Sequence, residues 1–153
     1  MLRYIGLEAA PFAPLFDLDD EALAAMGAAR VTCTEKPGFP CRVSLDDAEP
    51  GESLLLLSFR HHDTASPYRA EGPIFVREKA ATAYDSSALP PVMRTRTLSV
   101  RAYDAGGMMR DADIAQGSDV EALCERLLAR PEIAYLHVHN AKPGCFAARV
   151  ERA

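Results

Sequence analysis

Apolar and polar residues alternate along much of this chain, and a period of two marks half-buried β-strands. "LRYIGL" reads as a short first strand and "ARVTCTE" as a second. "CRVSL" alternates, with Cys41, Val43 and Leu45 on one face and Arg42 and Ser44 on the other. "SLLLLSF" is apolar on both faces, which predicts a buried, central strand. "IFVRE" sets Ile74 and Val76 against Phe75 and Arg77. "TLSVRAYD" sets Leu98, Val100 and Ala102 against Thr97, Ser99, Arg101 and Tyr103, and "MMRDADI" reads as the strand after it.

The chain closes on "AYLHVHNAKPGCFAARVERA". Residues two apart on a strand share a face, so His137 and His139 lie beside Tyr135, while Ala134, Leu136 and Val138 point the other way. Lys142, Pro143 and Gly144 suit a three-residue hairpin loop with Gly144 in the left-handed position. That register sets Leu136 opposite Val150, His137 opposite Arg149, Val138 opposite Ala148 and His139 opposite Ala147.

Two segments carry the helical period. "DLDDEALAAMGAA" has Asp17 or Asp19 as cap and alanines inside. "SDVEALCERLLARPE" places Val120, Leu123, Cys124, Leu127 and Leu128 in one stripe, with Ser118 and Glu121 as a capping box and Pro131 as the stop. "KAATAYDSSALPP" has room for one helical turn before its prolines. "RHHDTASPYRAEGP" reads as a polar loop, long enough to be functional. The order predicts an α+β fold: a mostly antiparallel sheet with two main helices packed against one face.

Length and charge narrow the class. A chain of 153 residues suits one domain, residues 1–153, with a core that needs no disulfide or metal. The formal net charge of -5 argues against a nucleic-acid or anionic-membrane partner. The N-terminus lacks the pattern of a secretory signal, and the longest apolar run, "LLLL" at 54–57, is far short of a membrane span. A cytoplasmic protein is the expectation. Cys33, Cys41, Cys124 and Cys145 form no C-x-x-C pair, which points to free core residues. Lysine occurs only as Lys36, Lys79 and Lys142, so the positive charge is mostly arginine, whose planar fork suits carboxylates and phosphates.

The candidate chemistry gathers on the less apolar strand faces: Arg42, Arg77, Arg101, Tyr103, His137, His139 and Arg149. Arginines brought together on one face require an anion to relieve their repulsion. Tyr68 and Arg69, between Pro67 and Gly72, add a ring to stack and a charge to pair. His137 and His139 can transfer protons near neutral pH. His-x-His on a strand is also a metal-ligand spacing, but it needs a third ligand. His61, His62 or Asp104 can serve, yet the sequence places none of them nearby, and adjacency sends His61 and His62 to opposite faces. No metal site or cofactor is assigned on this basis. Cys145 lies near His139 as a potential nucleophile. No G-x-S-x-G, P-loop or G-x-G-x-x-G pattern is present.

"KPGFPCRVSLDDAEPGE", "SPYRAEGPIFVRE", "LSVRAYD" and "YLHVHNAKPGCFAARVERA" together resemble the bacterial family called domain of unknown function 1203. The resemblance runs from "RYIGL" to the final "RVERA" and implies a small single-domain bacterial protein, with no activity attached. The residues themselves suggest a small anionic ligand bound on an Arg/His-lined sheet face, with catalysis left open. The alternatives are a metal-dependent enzyme using the His-x-His pair and a non-enzymatic interaction module, such as a homodimer joined through an edge strand.

Overall fold

Two sheets share the strands. A computed structural model describes residues 1–153. The larger sheet has the order β5-β1-β9-β8-β6-β7 and the smaller the order β2-β3-β4. The strands are β1 (Leu2–Ile5), β2 (Ala29–Thr32), β3 (Ser53–His62), β4 (Ala70–Arg77), β5 (Asp85–Ser86), β6 (Thr97–Tyr103), β7 (Met109–Gln116), β8 (Tyr135–Asn140) and β9 (Phe146–Arg152). All pairings between them are antiparallel. The helices are α1 (Asp20–Ala25), α2 (Pro91–Arg94) and α3 (Val120–Leu128). None is long and apolar enough to cross a membrane.

The α+β class and antiparallel pairing follow the sequence pattern, but the single sheet does not. The run at 54–57 is apolar on both faces because β3 is the middle strand of its own sheet. Leu55 and Leu57 pack with Leu23 of α1, Phe12 and Ile74, while Leu54 joins Cys33 and Ala48 in a separate cluster. The stripe Val120, Leu123, Cys124, Leu127 and Leu128 of α3 instead joins Leu98, Val100, Leu136, Val138 and Val150 of the larger sheet. Each sheet therefore has its own helix. Each fully buried leucine or valine in these clusters contributes about 1.5–3 kcal/mol.

Local expectations are refined in three places. Asp19 caps α1, its Oδ1 accepting from Ala22 N at 2.8 Å, but α3 starts at Asp119 with no side-chain cap, so Ser118 and Glu121 form no capping box. "CRVSL" is not a strand. Its backbone is paid out to three segments, with Arg42 N donating to Phe75 O, Leu7 N to Arg42 O and Tyr84 N to Val43 O, and Leu45 has φ 51°. Alternation fails there, and Arg42 is buried alongside Cys41 and Val43. The closing hairpin has Gly144 at φ 77° and the expected pairs from Leu136↔Val150 to Val138↔Ala148. A bulge then sets His139 opposite Phe146, not Ala147. The extra residue on β9 turns Phe146 toward the histidines.

Candidate functional site

The site grows from β8. Leu136 and Val138 face α3, which leaves Tyr135, His137 and His139 on the opposite face. That face is not open to water: the C-terminal end of β3 lies over it, and His137 and His139 are 2% and 1% exposed. The pairing of β3 with β4 slips between Phe59 and His62, where three steps on β3 match two on β4. This bulge breaks the alternation, so His61 and His62 both reach the larger sheet. The ring of His61 lies 5.1 Å from that of His139 and 6.1 Å from that of His137. The ring of His62 lies 5.0 Å from His137 and 4.2 Å from Tyr103.

The two neighbours on β3 have different chemistry. His62 Nδ1–H donates to Tyr68 O at 2.8 Å, and Nε2 accepts from the Tyr135 hydroxyl at 2.7 Å, so both of its nitrogens are engaged. His61 Nδ1, His137 Nδ1 and His139 Nε2 are buried and have no hydrogen-bond partner. His139 Nδ1–H donates to Gly144 O at 2.9 Å, which fixes the tautomer and leaves the Nε2 lone pair free. Phe146 forms the wall behind the three rings: it stacks on His61 at 5.1 Å and meets His137 and His139 edge-on.

One ring nitrogen from each of His61, His137 and His139 lies within 4.8 Å of the other two. Burial is the main cause that pushes all three rings down, His61 and His139 to about 4 and His137 to about 2. Neighbouring positive charge adds to it, from His62 and Arg101 on His61 and from Arg101 on His139. The rings are therefore neutral at pH 7, and their lone pairs are available. Unsatisfied buried polar atoms each cost about 1–3 kcal/mol. One unpartnered nitrogen on each of three histidines that approach this closely is the pattern expected of a metal-ligand set. A tetrahedral ion with zinc–imidazole bond lengths needs ligand nitrogens about 3.3 Å apart, a contraction of at most about 1.5 Å from the 4.8 Å bound. No carboxylate belongs to the group. Asp104 is held by Arg110 and by the Gly106 and Met108 amides.

The sequence-derived arginines divide. Arg77 makes a two-pronged bond to Glu52, at 2.9 and 2.8 Å, well away from the histidines in the pairing of β4 with β3. Arg69 is exposed and its nearest acid is Asp63 at 3.4 Å. Arg149 stands opposite His137 but pairs with Glu151 and lies 4.0 Å over the Tyr135 ring. Arg42 donates to Phe146 O at 2.7 Å, to Pro40 O and to Cys145 Sγ at 3.0 Å, so it braces the wall behind the histidines. Tyr103 stacks on Tyr135 at 5.5 Å. Tyr68 supplies the carbonyl that orients His62, and its ring meets Tyr103 edge-on at 6.2 Å. Arg101 sits directly across the β6–β8 ladder from His137. A cavity of about 470 Å³, with Ile74 and Phe75 in its lining beside Arg42 and Cys145, lies at the hairpin tip and includes none of the histidines.

The molecule is thus an α+β protein of two antiparallel sheets with a three-histidine group between them, two of its residues buried and His61 half-buried. It belongs to the family described as Protein of unknown function (DUF1203), whose model matches residues 38–152. That span contains every residue of the histidine group. No curated protein and no solved structure matches the chain.

Proposed function

We propose that the protein binds one divalent transition metal of the zinc class through His61, His137 and His139 and acts on a small molecule there. The observation that carries this reading is the set of three buried ring nitrogens without partners, one on each histidine. Neutral imidazoles suit zinc and its first-row neighbours. Structural zinc sites are closed by four protein ligands, whereas three ligands leave a position for water or substrate. An ion so held supplies a Lewis acid and a water acidified toward neutrality. The chain's own part is orientation. Gly144 O sets the His139 tautomer, Phe146 packs the rings, and Arg42 ties down the Phe146 carbonyl; such outer contacts tune metal affinity.

Elemental analysis of the purified protein tests the reading. About one equivalent of metal per chain is expected, removed by a chelator and restored by zinc or cobalt. His139→Ala should not hold it. Protein that carries no stoichiometric metal, and takes up none from micromolar zinc, cobalt or nickel, refutes the proposal.

A further inference from the structure

We propose that Arg101 and the histidine-bound ion together hold an oxyanion, so that the small molecule carries a carboxylate or phosphate group. This inference rests on the metal reading and adds the substrate class to it.

Arg101 is unlike every other arginine of the chain. Ten have a carboxylate oxygen within 4.0 Å: Arg3, Arg30, Arg60, Arg69, Arg77, Arg96, Arg110, Arg126, Arg130 and Arg149. Three more are capped by backbone carbonyls, Arg42 by Phe146 and Pro40, Arg94 by Leu89, and Arg152 by Leu128 and Arg130. Arg101 makes no bond to a carboxylate or a backbone carbonyl, although it is half-buried; the side chain beside it is the Tyr103 hydroxyl, which brings no charge to balance it. Its position is defined by the ladder: it faces His137, and Ser99 faces His139. Directly opposed residues have Cβ atoms about 4.5–5.5 Å apart. A long guanidinium therefore reaches the space above the histidines.

Charge makes the anion necessary. No carboxylate belongs to the histidine group. A divalent ion would add two positive charges beside Arg101 in a largely water-excluded place. Such charge is tolerated only with a counter-charge nearby. None lies within the histidine group itself, which leaves that role to the ligand. A planar guanidinium suits the oxygens of carboxylate or phosphate through charge-assisted hydrogen bonds.

The test uses the full chain loaded with cobalt(II), whose visible spectrum reports its coordination. The protein is titrated separately with inorganic phosphate and with acetate, with tetramethylammonium chloride holding ionic strength constant. A saturable spectral change is expected with at least one oxyanion, and the stronger arm assigns the chemistry. Arg101→Ala should weaken that anion about tenfold to hundredfold without weakening cobalt binding in the absence of anion, which the lost positive charge should if anything tighten. Arg101→Lys should recover part of the loss, since it restores charge without the fork. The anion should tighten cobalt binding by the factor by which cobalt tightens the anion. A spectrum that neither anion changes, or equal anion affinity in wild type and Arg101→Ala, overturns the inference with the metal site intact. Absence of cobalt binding overturns the metal reading itself, and this one with it.

Discussion

His61 and His62 are adjacent on one strand, yet only His61 should be a metal ligand, and metal-linked thermal stability separates them. At zinc one hundred times its dissociation constant, binding to the folded state alone adds about 2.7 kcal/mol. Unfolding entropy of roughly 2.1 cal/mol/K per residue gives about 0.32 kcal/mol/K for a chain of this length. The expected rise in melting temperature is therefore about 8 °C. His61→Ala leaves two ligands on β8. If affinity drops about a hundredfold, the same zinc concentration equals the dissociation constant, and the gain shrinks to about 0.4 kcal/mol, or roughly 1 °C. His62→Ala removes bonds to Tyr68 O and the Tyr135 hydroxyl. It should lower the starting melting temperature but keep most of the zinc-induced rise. Differential scanning fluorimetry of the chelator-treated proteins, with and without zinc, reads both. A full rise in His61→Ala, or its loss in His62→Ala alone, would refute the assignment.

Burial of His137 and His139 has a pH signature in the metal-free protein. Their folded values of about 2 and about 4 lie below the ordinary 6.5, so the unfolded chain binds more protons below pH 6.5. Stability is then fully present above pH 6.5 and falls as pH drops, by about 1.4 kcal/mol per unit for each ring. Denaturant titrations at pH 7 and pH 5 should differ by about 4 kcal/mol for the two, and a flat profile contradicts the burial. Glu52→Gln should cost about 3 kcal/mol, because it leaves the largely buried Arg77 guanidinium without its carboxylate; urea unfolding checks it, and a neutral result would free Arg77 for a ligand role. Phe146→Ala should cost about 3–5 kcal/mol and weaken zinc binding as well, measured by calorimetry; unchanged zinc affinity would mean that the wall does not orient the rings.

The period of two made much of the larger sheet legible. It identified β6, β8 and β9, separated Leu136 and Val138 from His137 and His139, and anticipated three of the four hairpin pairs. It failed wherever the backbone leaves that period. The bulge at Phe59–His62 turns His61 toward the histidines of β8, and a strict alternation rule reads the same residues as pointing apart. The irregular path of "CRVSL" buries Arg42, which alternation assigns to the polar side. The division into two sheets was equally hidden, because a central strand of a small sheet and one of a large sheet have the same apolar signature.

The arginines show a different limit. Alternation placed Arg77, Arg101 and Arg149 on polar faces, and each satisfies the same local rule. What separates them is the presence of an acid. Glu52 comes to Arg77 from another segment, and Glu151 comes to Arg149 from two residues along its own strand. An arginine with its own carboxylate is a structural cation, and an external anion must compete with that carboxylate to bind it. Arg101 has none, and under the proposed metal reading the charge beside the three histidine lone pairs is balanced by an anion from outside. That is why the ligand assignment contracts from a broad cationic face to Arg101 and the three histidines.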